Sequence, residues 1–235
     1  MITTLIVAGL DGSAAPHWQQ WWAASDPHAL MVELSDPGRP SPSVWEVELA
    51  SMILQHPGCV LVGHSLGSIL ITRLLTQWPH LRVKAALLVA PAETGGADRI
   101  AHFGPIPERD LGVPALVAGS RNDPWMGFER AQALAGAWGA GFLDMGHAGH
   151  VNVASGYGPW PAARALRDGL RAEAEARAGF GDAFGAGDEA EDPAETPALR
   201  RSSSGVAYGP GILPFRARAL RRIAAGLAVG RGARR

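Results

Sequence analysis

Short apolar runs bounded by turn residues alternate, over the first 170 positions, with segments of helical period. Residues 3–8 (TTLIVA) end at Gly9 and predict a strand entering a turn. Residues 16–24 predict a helix with Pro16 in its first turn. Residues 29–34 predict a short strand. Residues 43–55 predict a helix capped by Ser43, with Val44, Val47, Leu49, Ile53 and Leu54 as its apolar positions. The unbroken runs 59–62 (CVLV), 85–89 (AALLV) and 114–118 (PALVA) read as central strands buried on both faces. Helices are expected at 66–78, 128–138 and 161–171, and a further strand at 141–145. Repeated strand–helix units with apolar strands imply an α/β fold: about six mostly parallel strands, covered on both faces.

Composition narrows the class. The chain has 235 residues, 47% of them hydrophobic and 18% charged, which suits a folded core. No apolar run approaches a membrane span, and the N-terminus lacks a basic region before its apolar stretch, so no signal peptide is read. A single cysteine, Cys59, excludes an internal disulfide framework and a multi-thiolate metal site; it sits in a predicted buried strand and reads as structural. The expected location is cytoplasmic. Charge is unevenly distributed. Residues 1–175 carry 16 acidic and 11 basic side chains, and residues 176–235 six acidic and ten basic. All six late acids lie in 182–195, and nine arginines follow from Arg200 onward. Such like-charge blocks with Gly, Pro and Ser stay solvated, so a boundary is placed near 172–178, between a domain at 1–175 and an unfolded acidic-then-basic tail at 176–235. Within the tail, Leu213, Leu220, Ile223, Ala224 and Leu227 share a helical face ringed by arginines, a pattern able to contact an anionic surface or a partner. Nothing in the body suggests a nucleic-acid partner.

The strongest local signal is Val62-Gly63-His64-Ser65-Leu66-Gly67, a G-x-S-x-G pattern with a buried strand before it and a helix after. A serine on that sharp turn projects its hydroxyl over the sheet. Gly63 and Gly67 remove side chains where strand and helix converge. The Leu66 N–H, at the helix start, faces a developing oxyanion. The bland alternative is an ordinary glycine-rich turn.

A nucleophilic serine needs a base and an orienting acid. In the α/β-hydrolase order these follow as acid, then histidine, on loops after later strands. Asp123 follows the strand at 114–118, and His147 and His150 follow the strand at 141–145. The longer reach favours His150 as base, with His147 the alternative. Asp144 and Asp110 are weaker acids, lying within or before strands. His64 reads as a pocket or packing residue. The second oxyanion donor is expected on the loop after the first strand, at the Leu10 N–H, with Asp11 as fallback. Most of the eight tryptophans read as packing. Trp18, Trp125 and Trp160, beside the catalytic-side loops, are candidate pocket walls. No insertion is long enough for a large cap domain, which suggests a shallow pocket for small acyl groups.

The segments LIVAGLDGSAAPHWQQWW (5–22), LVGHSLGS (61–68), LLVAPAE (87–93), SRNDPWMGFERAQALAGAWGA (120–140) and GHAGHVNVASGYGPWP (146–161) together resemble the retinoblastoma-binding protein 9 / YdeN-like serine hydrolases of the α/β-hydrolase superfamily. The resemblance spans about 3–170, leaving the tail without a counterpart. It implies a three-layer α/β-hydrolase sandwich with Ser65, Asp123 and His150 as triad. His17 and Trp18 match the family's element after the first strand, and Asn152 its pattern after the histidine. His147 departs from that pattern, which carries an acidic or other polar residue there.

The expected activity is cleavage of an ester, thioester or amide of a small acyl group through an acyl-enzyme, with no cofactor or metal implied. A different class, a protein-interaction module that keeps the fold with little turnover, is opposed by the complete set of three residues.

Overall fold

The computed structural model describes residues 1, 3–95 and 98–184, with side chains through residue 179. Six parallel strands, β1 (Thr4–Val7), β2 (Ala29–Met31), β3 (Cys59–His64), β4 (Val83–Val89), β5 (Ala115–Gly119) and β6 (Gly141–Asp144), form one sheet in the order β2-β1-β3-β4-β5-β6. Five helices accompany them: α1 (Trp18–Ser25), α2 (Pro42–Gln55), α3 (Leu66–Gln77), α4 (Phe128–Ala137) and α5 (Pro161–Phe184). The acidic-then-basic tail beyond 184, with its apolar face at 213–227, lies outside the described residues.

Strand periodicity divides the core in two. Leu5, Val7, Leu61 and Leu88 point to one face, where α2, α3 and α4 cover them. Ile6, Val60, Val62 and Leu87 point to the other, against α1 and α5. Right-handed crossovers account for this division. The chain steps one way from β1 to β2 and then reverses for β3 to β6, so α1 falls on one face and α2, α3 and α4 on the other. The reversal leaves a crevice beyond the carboxyl ends of β1 and β3, where open α/β sheets bind ligands.

Local differences from the sequence reading have physical causes. Helix α2 starts at Pro42 behind Ser41, and not at a Ser43 cap. Its buried positions are Trp45, Leu49, Ala50 and Ile53, while Val44, Val47 and Leu54 are exposed. Trp45 sets that face: its indole packs edge-on to Phe103 and donates to the Ser35 carbonyl at 2.7 Å. Pro16 precedes α1, which is capped by His17. Helix α5 runs thirteen residues past the expected 171. Its last fully buried side chain is Leu170, and beyond it alanine-rich turns continue with Arg171–Glu175 and Glu173–Arg177 pairs. The composition that reads as a boundary is also strongly helix-forming.

Candidate active site

The crevice is built first from the β3–α3 turn. Ser65 has φ 56° and ψ −125°, a conformation costly for a residue with a Cβ. It is held by its own N–H donating to the Val89 carbonyl at 3.0 Å. Space for the turn comes from missing side chains. A Cβ on Gly63 would lie 2.7 Å from the Ser68 Cα, and one on Gly9 would lie 2.9 Å from the Ser65 Cβ.

Ser65, His150 and Asp123 meet in one line. His150 Nε2 lies 2.9 Å from the Ser65 hydroxyl, and His150 Nδ1 lies 2.9 and 3.0 Å from the two Asp123 oxygens. The histidine and aspartate side chains are 8% and 3% exposed, so their contact is largely dry. The Asp123 carboxylate accepts from the His150 Nδ1–H, which leaves Nε2 bare to accept from the Ser65 hydroxyl. Asp123 also accepts from the Trp125 N–H at 2.9 Å.

The loop bearing His150 is fastened on three sides. His64 Nε2 lies 2.8 Å from the His150 carbonyl, tying the His150 backbone to the end of β3. Asn122 accepts from the Gly149 N–H at 2.8 Å, and Ser120 from the Ala148 N–H at 3.0 Å. The His150 N–H donates to Ser155 Oγ at 3.0 Å, and Ser155 donates to Asn152 Oδ1 at 3.0 Å. The alternative residues lie elsewhere. His147 is exposed, Asp144 pairs with Arg121 at 2.9 Å, and Asp110 accepts from the Gly112 N–H. Burial pushes the Cys59 thiol up to about 12, so it is a neutral core side chain.

A cleft of about 540 Å³ opens over Ser65. Leu10, Asp11, His17, His64, Trp125 and Asn152 all line it. Among the described residues, neither the Leu10 N–H nor the Leu66 N–H has an acceptor, whereas the Asp11 N–H is taken by the Pro37 carbonyl at 2.8 Å. Two expected wall residues are elsewhere. Trp18 is fully buried, wedged edge-on between His64 and Trp160, with its Nε1 donating to the Val151 carbonyl at 2.9 Å. Trp160 packs beneath it, 6% exposed. Large rings next to the loops serve the layer under the cleft and not its wall. No local pattern signals Arg99, which reaches the rim from the β4–β5 connection. It holds Asp11 through 2.8 and 2.6 Å contacts, and its guanidinium keeps that carboxyl below the usual range.

Two neighbouring histidines are kept neutral. Burial, with the His150 charge adding to it, lowers His17 to about 4. Burial also holds His64 well below its ordinary value. Between the unfolded value of 6.5 and about 4, the unfolded chain takes up a proton on His17 that the folded chain refuses. Stability is therefore expected to fall with pH through that window. Melting temperatures measured from pH 7 to 4.5 should decline, and less steeply for His17→Ser; equal slopes would refute a buried neutral His17.

Among the described residues, no group of three or more His, Cys, Asp or Glu side chains is arranged to hold a metal ion, and no helix is long and apolar enough to cross a membrane. The sequence pattern of the serine hydrolase family matches residues 4–168. A putative YdeN-like hydrolase from Pectobacterium atrosepticum is 30% identical, with 74% of this chain and 92% of that one covered and a TM-score of 0.65. The ydeN gene product of Bacillus subtilis is 21% identical over 71% of this chain and 96% of that one, with a TM-score of 0.55. A putative non-heme bromoperoxidase, BpoC, from Mycobacterium tuberculosis shares the fold at 16% identity, covering 74% of this chain and 93% of that one, with a TM-score of 0.54. Among curated proteins, none matches.

Proposed function

The chain belongs to the YdeN-like serine hydrolases, with an α/β-hydrolase fold, and from that premise we propose that it cleaves an ester, thioester or amide of a small acyl group through Ser65, His150 and Asp123. The observation that carries the reading is one imidazole within 2.9 Å of both a strained serine hydroxyl and a buried carboxylate. In the forward step Ser65 Oγ attacks the acyl carbonyl and His150 Nε2 takes its proton. Asp123 holds the imidazole tautomer and stabilises the imidazolium. The Leu66 and Leu10 N–H groups receive the oxyanion, a role supported by both being free to donate. His150 then protonates the leaving group, and water attacks the acyl-enzyme with His150 again as base. Among the described residues the connections between strands leave no room for a large cap domain over the cleft, which favours a small acyl group over a long lipid chain.

A fluorophosphonate probe tests this directly, because it phosphonylates an activated serine. Wild type is expected to label at one site. Ser65→Ala should lose the label, His150→Ala should label at least a hundredfold more slowly, and His147→Ala should label like wild type. Failure of the folded wild type to react would sink the hydrolase reading.

A further inference from the structure

Two side chains lining the cleft carry a hydrogen-bond donor without a partner among the described residues, and the donors' identities follow from their neighbours. His17 caps α1: its Nδ1 accepts from the Gln19 N–H at 3.2 Å. An acceptor nitrogen carries no proton, so the neutral ring bears its hydrogen on Nε2. Asn152 accepts from the Ser155 N–H at 3.1 Å, and a backbone N–H must meet an oxygen, so that atom is Oδ1 and the amide nitrogen points away. Neither His17 Nε2 nor Asn152 Nδ2 has a partner among the described residues. His17 is 6% exposed and Asn152 is half-buried. The bond from Trp18 to the Val151 carbonyl, 2.9 Å long, brings together the two segments carrying these side chains. Both residues line the same cleft as Ser65. The His17 ring lies 4.9 Å from that of His64, which lies 4.9 Å from that of His150.

Resting on the triad reading, we infer that His17 Nε2–H and Asn152 Nδ2–H form a subsite for a carbonyl oxygen of the substrate outside the scissile bond, such as that of an amide. The substrate class is then an acyl compound carrying a second, neutral carbonyl near the reacting one. A purely alkyl substrate seated over them would strip both donors of water and supply no acceptor, and a donor buried without a partner is costly. The lowered pKa of His17 keeps the ring neutral over the working pH range, so it donates without adding charge. Of the other polar groups on the wall, Asp11 and Arg99 are engaged with each other, and the Ser13 hydroxyl donates to Gln19 Oε1 at 2.7 Å.

The test uses two fluorophosphonates, one with a carboxamide-bearing arm and one with an alkyl arm of matched length. The quantity read is the ratio of their second-order labelling rates in each protein, so that differences in intrinsic probe reactivity cancel between variants. His17→Ser keeps an oxygen to cap α1 and removes the donor. Asn152→Asp keeps the acceptor for Ser155 and removes the donor. Each is expected to lower the carboxamide-over-alkyl ratio about tenfold relative to wild type, roughly one hydrogen bond. A ratio unchanged in both variants while both probes still label would overturn the subsite and leave the triad standing. Failure of wild type to label with either probe would overturn the triad reading, and the subsite with it.

Discussion

Asp123→Asn is expected to lower kcat about ten-thousandfold at neutral pH while leaving the protein folded. The substitution is nearly isosteric, and the side chain is 3% exposed. An asparagine oxygen can still accept from the Trp125 N–H, as Asp123 Oδ1 does at 2.9 Å. That contact puts the amide NH2 in the place of Oδ2, 3.0 Å from His150 Nδ1. A donor there opposes the Nδ1 proton and favours the tautomer that carries the hydrogen on Nε2. Nε2–H then faces the Ser65 hydroxyl across 2.9 Å and cannot take its proton. The loss is one of tautomer and charge, with the geometry kept. Steady-state hydrolysis of a small activated ester checks this, with the melting temperature recorded on the same samples. A fall of less than tenfold would mean that Asp123 does not orient the base. Asp144→Asn is the matched comparison. Its carboxylate, exposed at the end of β6, is engaged by Arg121 at 2.9 Å, so kcat should stay within about twofold.

Strands were the most legible feature of the sequence, because each central one is an apolar run buried on both faces. CVLV at 59–62 extends only by Gly63 and His64 before the turn. The turn itself was legible because close backbone approach demands glycine at fixed spacing. Spacing favoured His150 over His147, three positions earlier, only by its longer reach. The structure separates them by surroundings: His150 is 7% exposed and fastened by Ser155, Asn122 and His64, while His147 faces solvent. Those fastening contacts span up to 86 positions, and no local pattern encodes them. The tryptophans misled for a related reason. A ring near a functional loop in sequence can point beneath it, as Trp18 does, and the direction is fixed by a bond to Val151, 133 positions away. Arg99 reaches Asp11 across 88 positions and was invisible for the same reason. Helix faces failed where one large residue, Trp45, outweighed several smaller apolar ones on α2.

Gly67→Ala should cost about 3 kcal/mol of stability, the upper range for inserting a methyl into a packed site, and should reduce activity as well. The added Cβ would press on the carbonyl oxygens of Val7 and Ala8, lying 2.5 Å from the latter. Both are backbone atoms at the end of β1, whose four residues are all buried, so neither can swing aside as a side chain would. Intrinsic helix propensity runs the other way, favouring alanine over glycine by about 1 kcal/mol. Overpacking therefore has to exceed that gain, and contact with two carbonyls does so. Relief requires the first turn of α3 to move away from β1. That motion carries the Leu66 N–H and Ser65 with it and opens the space between Leu66 and Leu10. Gly169→Ala separates the two terms. Gly169 lies on the exposed side of α5, and a Cβ there meets nothing within 4 Å. That variant should gain about 0.5–1 kcal/mol from propensity alone. Thermal melting of both variants is the measurement, with Gly67→Ala expected about 5–10 °C below wild type and Gly169→Ala slightly above it. A Gly67→Ala protein as stable as wild type would mean that the α3 start is not locked against β1, and that the turn holding Ser65 owes its shape to something other than this contact.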